Sequence, residues 1–325
     1  MEHKQINVLI TGVGAIIGYG IIKSLRNSNY PCKIIGMDIY KDAVGQHWCD
    51  EFVQAKLAAA PDYLEFLTGV IDRYQIDLVY FGTEQELYKV SRSRNELKGY
   101  EQKFVLNCPE LLDLSTDKWE TRRFLLEHNL EEYAIPSVIT GDYETIAAQF
   151  GSEFLLKPRS SYASKGIEKV KDTKTFDFFK ARMGKGFMAQ KLVGDAEHEY
   201  TVGSFGTGDG NIAAMIQMRR KLSGEGATAK ATTLFDLELE AAVRRIAKEC
   251  RPYGPTNFQF RKDGDSYLLL EVNPRISSST SLRAAFGYNE SVMCIDWYLT
   301  QRAPRQPEVK KGSAVRYIDE VVTLL

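Results

Sequence analysis

Apolar and polar positions alternate along this chain in two rhythms, strand-length apolar runs and helix-length periodic stretches. Ile6 to Thr11 is an apolar run, Gly12-Val-Gly14-Ala-Ile-Ile-Gly18 breaks it, and apolar periodicity then continues to Leu25. This predicts a strand, a tight turn and a helix. A second strand is expected over Lys33 to Met37, ending at Asp38, and a third over Asp77 to Phe81 after a helical segment from Tyr63 to Tyr74. Strands that alternate with helices imply a parallel, doubly wound sheet. A short fourth strand near Phe104 to Leu106 completes a first domain spanning 1–113.

Ser115-Thr-Asp-Lys118 suits a helix N-terminus, with the helix running to His128. Beyond Pro136, strands at Phe154 to Lys157 and Gly186 to Gln190 bracket a loop and a helix, so 114–190 reads as an α+β lobe. The remainder, 191–325, reads as antiparallel strands plus a helix over Leu237 to Cys250. Within it, Asn257-Phe-Gln259-Phe precedes a turn at Lys262-Asp-Gly264-Asp, and Ser266-Tyr-Leu-Leu-Leu-Glu271-Val-Asn273-Pro-Arg275 follows. Asp-Gly between two strand-like runs is a hairpin signal. Side chains alternate across a strand, so Glu271 and Asn273 share one face, and Leu268, Leu270 and Val272 are expected in the core.

Composition narrows the class. A length of 325 residues with 44% hydrophobic and 26% charged residues fits two or three globular domains. The 42 Lys and Arg balance 43 Asp and Glu, so no global basic field drives nucleic-acid binding. The 5 cysteines form no C-x-x-C pair and read as reduced packing thiols. No apolar run has the length of a membrane span and the N-terminus lacks a signal-peptide pattern, so a soluble, cytoplasmic protein is expected.

Three segments carry candidate chemistry. Gln259, Glu271 and Asn273 offer one carboxylate and two amide oxygens, the donor set a hard divalent cation takes when phosphate and water complete its shell. Arg275 beside them suits a phosphate or carboxylate fork. Next, Leu155-Leu-Lys157-Pro158-Arg159 runs into the small-residue loop Ser160 to Gly166, which can set an ammonium and backbone N–H groups on a polyphosphate. Lys118 and Lys191 add cations. Lastly, Met188-Ala-Gln190-Lys191-Leu192-Val193-Gly194 reads as a strand entering a linker whose backbone could meet an adenine edge, followed by Glu197 and Glu199. A basic, glycine-rich stretch from Arg219 reads as a mobile loop whose arginines could orient a carboxylate.

In this order and spacing the three segments resemble the ATP-grasp superfamily, most closely its carbamoyl-phosphate-synthase-large-subunit-like branch, from about Lys118 to the C-terminus. The first domain resembles the Rossmann-like domain that precedes such modules. The resemblance implies a Rossmann-like N-terminal domain followed by a two-lobed ATP-grasp module, and a ligase that activates a carboxylate or bicarbonate as an acyl phosphate for attack by an amine or other nucleophile. ATP and Mg2+, with Mn2+ as an alternative, are the implied cofactors. Lys118 and Lys157 would bind phosphates, Ser164, Lys165 and Gly166 would belong to the covering loop, and Gln190, Lys191, Leu192 and Val193 would hold adenine. Glu197 and Glu199 would take the ribose, Gln259, Glu271 and Asn273 the metal, and Arg275, Lys165 and Arg219 would act at the reacting groups. The loop departs from the family pattern in having only Gly166, where relatives carry more glycines.

Two other functions fit parts of the chain. Gly12-x-Gly14-x-x-x-Gly18 with Asp38 downstream is a nicotinamide-dinucleotide signal. A single ATP-grasp unit could also serve as the nucleotide-binding subunit of a split synthase. Small-molecule substrates and a homodimer or partner subunit are the expected partners, without nucleic acid or membrane.

Overall fold

A computed structural model describes residues 5–160, 166–195, 198–224 and 226–322. The first sheet comprises β1 (Ile6–Thr11), β2 (Cys32–Asp38), β3 (Glu51–Gln54) and β4 (Leu78–Tyr80), all parallel in the order β3-β2-β1-β4. Helices α1 (Ile16–Arg26) and α2 (Tyr63–Arg73) connect its strands, and α3 (Glu84–Arg92) follows β4. The chain leaves β1 toward β2 on one side and later returns to β4 on the other. A crevice therefore opens at the C-terminal ends of β1 and β4, where ligands of open α/β sheets bind.

The expected strand at Phe104 to Leu106 is a single bridge from Phe104 to Val79, supported by Val105 N–H donating to the Val79 carbonyl at 3.0 Å. Too few backbone groups meet there to build a ladder. Conversely, no periodicity predicts β3, because its four residues, Glu-Phe-Val-Gln, are too few to set a period.

Helices α4 (Pro109–Ser115) and α5 (Lys118–Glu127) lead into the second sheet. Asp117 caps α5 by accepting from the Trp119 and Glu120 amides. The second sheet is antiparallel, with β5 (Ser137–Val138), β6 (Phe154–Pro158), β7 (Glu168–Val170) and β8 (Phe187–Lys191) in the order β5-β8-β6-β7. Helices α6 (Tyr143–Phe150) and α7 (Thr173–Met183) enclose a small core with it, around Phe154, Leu156, Phe176 and Phe187.

The third sheet has six antiparallel strands in the order β13-β12-β9-β10-β11-β14: β9 (Glu199–Thr207), β10 (Ile212–Leu222), β11 (Thr228–Leu234), β12 (Tyr253–Asp263), β13 (Ser266–Asn273) and β14 (Ser313–Val315). Helix α8 (Leu237–Cys250) buries Leu239, Val243 and Ile246 against Phe258, Phe260 and Val272 on one face of this sheet. Each such side chain contributes about 1.5–3 kcal/mol. Helices α9 (Thr280–Ala285) and α10 (Glu290–Cys294) follow β13. They help join Val8, Ile10 and Ile21 of the first sheet's layer to Phe205, Ile216 and Met218 in one continuous apolar cluster. That shared core fixes the first and third sheets as the two walls of a cleft.

The hairpin contains an irregularity. Gln259 pairs with Glu271 but Phe260 pairs with Leu269, so Leu270 is an extra residue in a β-bulge. The bulge shifts side-chain parity: Tyr267, Leu269 and Val272 face the α8 core, whereas Leu268 packs with Val193 and Ile135, and Leu270 lies half-buried against them. The expectation of one core face for Leu268, Leu270 and Val272 is corrected accordingly. Strict alternation holds only where no residue is inserted.

Candidate active site

Between the three sheets lies a cleft of about 1950 Å³, larger than the roughly 300–1,000 Å³ of a typical single-ligand pocket. The third sheet supplies its floor. Gln259 sits opposite Glu271 and Asn257 opposite Asn273, so cross-strand pairing puts all four side chains on the face that lines the cleft. Asn273 Nδ2 donates to Glu271 Oε1 at 3.1 Å. Among the described residues no group of three or more His, Cys, Asp or Glu could hold a metal. The floor's donors are one carboxylate flanked by amides, a fit for Mg2+ that completes its shell from phosphate and water.

The second sheet supplies the cations. Lys157, on β6, is 4% exposed, and its Nζ donates to Gln190 Oε1 at 2.6 Å. Gln190 Nε2 donates in turn to Ser137 Oγ at 3.0 Å, so the Gln190 side chain orients the lysine. Burial, reinforced by the charge of Lys118, pulls the Lys157 ammonium down to about 7, against the opposing pull of Glu271. Lys118, at the start of α5, is also lowered by burial and supported by Glu271, Glu84 and Asp117. Two partly desolvated ammoniums thus face the Glu271 carboxylate across the cleft.

Lys191, Leu192 and Val193 also line the cleft. Lys191 N–H is engaged by the Pro136 carbonyl at 2.9 Å, and β8 ends there, so only Leu192 and Val193 lie beyond the ladder. Gly166 has φ +73 and begins the approach to β7. Ser164, Lys165 and Glu197 lie outside the described residues.

Arg219 is exposed, which corrects the expectation of a substrate-facing arginine in a mobile loop. The chain there is strand β10, and a period of two turns Arg219 away and Arg220 inward. Arg220 is buried and donates to Glu199 Oε1 from Nε at 3.0 Å and Nη2 at 2.7 Å, and to Gln259 Oε1 from Nη2 at 2.7 Å. Glu199, expected to meet a ribose, lines the cleft and forms this ion pair through Oε1, with Arg261 Nη2 3.6 Å from its other oxygen. Had 212–222 been recognised as a strand, pairing of Arg220 with Glu199 would have followed from their shared face.

Arg275 donates from Nη2 to Glu84 Oε1 at 2.7 Å and to Asn273 Oδ1 at 3.2 Å. On the same face of the sheet, fully buried Arg283 pairs with Glu290 at 3.2 Å and donates to Thr201 Oγ1 at 3.1 Å and to Asn257 Oδ1. No sequence pattern marked Glu84, Arg220 or Arg283 as partners of the floor.

In the first domain, Gly12 adopts φ +59, and a Cβ on Gly18 would stand 2.2 Å from the Gly12 carbonyl oxygen. The glycines let the turn and helix α1 pack closely. Asp38 accepts from Gly14 N at 2.8 Å and from Tyr40 N at 3.0 Å. Both of its oxygens therefore bind the chain's own backbone, and the carboxylate ties the loop after β2 to the glycine turn.

Residues 191–321 match the family model described as ATP-grasp in the biosynthetic pathway with Ter operon. The whole chain is similar in structure to N5-carboxyaminoimidazole synthetase from Staphylococcus aureus complexed with ADP. That match has 17% identity and TM-score 0.71, covering 95% of this chain and 82% of the other. The chain has the ATP-grasp fold. The biotin carboxylase of Campylobacter jejuni is similar as well, at 16% identity and TM-score 0.73, over 94% of this chain and 74% of that one. So is the biotin carboxylase domain of Hydrogenobacter thermophilus 2-oxoglutarate carboxylase, solved with MgADP and bicarbonate, at 15% identity and TM-score 0.70, over 94% and 73%. No curated protein matches the sequence. The Asn-x-Gln-Phe and Glu-x-Asn-Pro-Arg strands of this ATP-grasp fold form the cleft floor, and no helix among the described residues is long and apolar enough to cross a membrane.

Proposed function

We propose that this chain is an ATP- and Mg2+-dependent ligase that converts a carboxylate or bicarbonate to an acyl phosphate and delivers it to an amine or other nucleophile. The observation that supports it is the placing of Glu271, with amides from Gln259 and Asn273, on one floor facing the buried Lys157 and Lys118. In this reading Lys118 and Lys157 neutralise the nucleotide phosphates, and Leu192 and Val193 meet the adenine beside the apolar Leu268 and Leu270. Gln259, Glu271 and Asn273 hold the metal, which would supply charge neutralisation at the transferred phosphoryl group. Arg275, held by Glu84 and Asn273, faces the charge that develops as the carboxylate oxygen bonds to the γ-phosphorus and ADP leaves. The nucleophile then attacks the carbonyl carbon and phosphate departs. Positioning and electrostatics carry most of such a reaction.

The division into a Rossmann-like unit at 1–113 and ATP-grasp lobes at 114–190 and 191–325 belongs to this proposal, as do a cytoplasmic location and a homodimer or partner subunit. Mn2+ is proposed as a substitute for Mg2+. The test is ADP and phosphate release by the purified chain across a panel of carboxylates and amines, with and without Mg2+. Release that requires a carboxylate and Mg2+, and is lost in Glu271→Gln, supports the ligase. Tight ADP binding with no release for any acid would overturn it in favour of a nucleotide-binding subunit.

A further inference from the structure

The cleft has a second wall that the nucleotide does not account for. Helix α3 turns Gln85, Tyr88, Lys89 and Arg92 into it, the i, i+3, i+4, i+7 face, and the buried Glu86 also lines the cleft, while Leu87 and Val90 are buried on the other side of the helix. From the loops after β2 and β3, on the other side of β1 from α3, come Ile39, Tyr40 and Leu57. These large apolar side chains are 37%, 67% and 62% exposed. Gathering three exposed large apolar groups at one cleft is the mark of a binding surface and not of random surface composition.

Most of the charged groups on this wall have internal partners. Asp38 is taken by the Gly14 and Tyr40 amides, and Glu84 by Arg275. Glu86 accepts from Thr83 Oγ1 at 2.6 Å and Tyr63 Oη at 3.1 Å. Lys56 is paired with Asp62. Lys89, half-buried, and Arg92 enter no ion pair among the described residues, and Arg92 lies over the Tyr88 ring at 5.7 Å. Asp42, exposed on the β2 side, is the one acid of this wall without a described partner.

We propose that this wall is the subsite for the organic substrate, and that the substrate is an amphiphilic anion. Its carboxylate or phosphate is held by Lys89 and Arg92, and its aromatic or branched apolar body lies on Ile39, Tyr40 and Leu57. The proposal deepens the ligase reading and rests on it for the word substrate, but the binding claim stands on the wall alone. A charge-assisted pair of hydrogen bonds to the anion supplies orientation, and the apolar contact supplies discrimination against small polar acids.

Calorimetric titration of the full chain, with and without Mg-ADP, tests it with phenylacetate, phenyl phosphate, acetate and benzylamine as probes. One or both phenyl anions are expected to bind at least tenfold more tightly than acetate or benzylamine, and which of the two binds identifies the anion. Lys89→Ala/Arg92→Ala should weaken the phenyl anion at least tenfold and leave ADP affinity within twofold. Tyr40→Ala/Leu57→Ala should remove the preference over acetate. Equal binding of phenyl anion and acetate, undetectable binding of all four probes, or an unchanged affinity in the Lys89/Arg92 variant overturns the subsite. Absence of ADP binding to the wild type with phenyl-anion binding intact would sink the ligase reading and leave the subsite standing.

Discussion

Arg275 Nη2 lies 2.7 Å from Glu84 Oε1, across 191 positions of sequence. The pair ties the end of β13 to the N-terminus of α3, so an arginine beside the metal floor takes its orientation from the first domain. Half-buried and bridged also to Asn273, this guanidinium is a rigid fork and not a solvated surface charge.

Removing the charge at Glu84 should therefore disturb chemistry more than nucleotide binding. Glu84→Gln is expected to lower kcat roughly tenfold to a hundredfold, the scale of a small misplacement of a reacting group. ADP affinity should change by no more than about twofold, by the same positional argument. Parallel turnover and ADP titration measure both, and an equal loss in the two would show that Glu84 serves the whole cleft.

The two adjacent arginines of β10 should behave oppositely. Arg220→Met leaves the buried Glu199 carboxylate with only Arg261, 3.6 Å away, at a cost of about 3 kcal/mol, the lower end for a broken buried pair. Arg219→Met, on the exposed side, should be indistinguishable from wild type. Urea unfolding of the two variants decides the matter, and the same midpoint for both would contradict the strand parity described above.

Lys157 makes both stability and binding depend on pH. Its folded value, about 7, lies below the ordinary lysine value of 10.5. Between those values the unfolded chain holds more protons than the folded one, so unfolding free energy should rise with pH through that window. A bound polyphosphate favours the charged ammonium, so ADP binding above neutral pH should draw in a proton and weaken as pH rises. Titrations at pH 8 in two buffers of different ionisation enthalpy would reveal the uptake, and Lys157→Met should abolish it.

Gly203 is set by what lies on top of it. A Cβ there would stand 2.5 Å from the Arg283 guanidinium, which is fully buried and paired with Glu290. Gly203→Ala should push Arg283 off Asn257 and Thr201 and destabilise the fold by about 3 kcal/mol, between the costs of overpacking and of disrupting a buried ion pair. Differential scanning calorimetry would detect it as a clear fall in Tm. A shift as small as that of an exposed glycine substitution, such as Gly69→Ala, would rule the packing out.

Local periodicity carried a good part of this protein. The strand, glycine turn and helix at Ile6 to Leu25, the helix at Leu237 to Cys250 and the hairpin around Gly264 each depend on residues within a few positions of one another. Glu271 and Asn273 could be assigned to one face because their spacing within the strand is even, but regular pairing outward from the turn would set Gln259 opposite Leu270, and only the bulge brings it opposite Glu271. Tertiary structure alone decided the rest. The bulge at Leu270 broke parity within β13, the choice of Arg220 over Arg219 required knowing that 212–222 is a strand, and Glu199 turned to Arg220 because the two strands pair. Glu84 met Arg275, and Arg283 met Asn257, through the packing of whole layers. Such partners are brought together by burial of apolar surface far from themselves, so no local pattern of polar residues could have announced them.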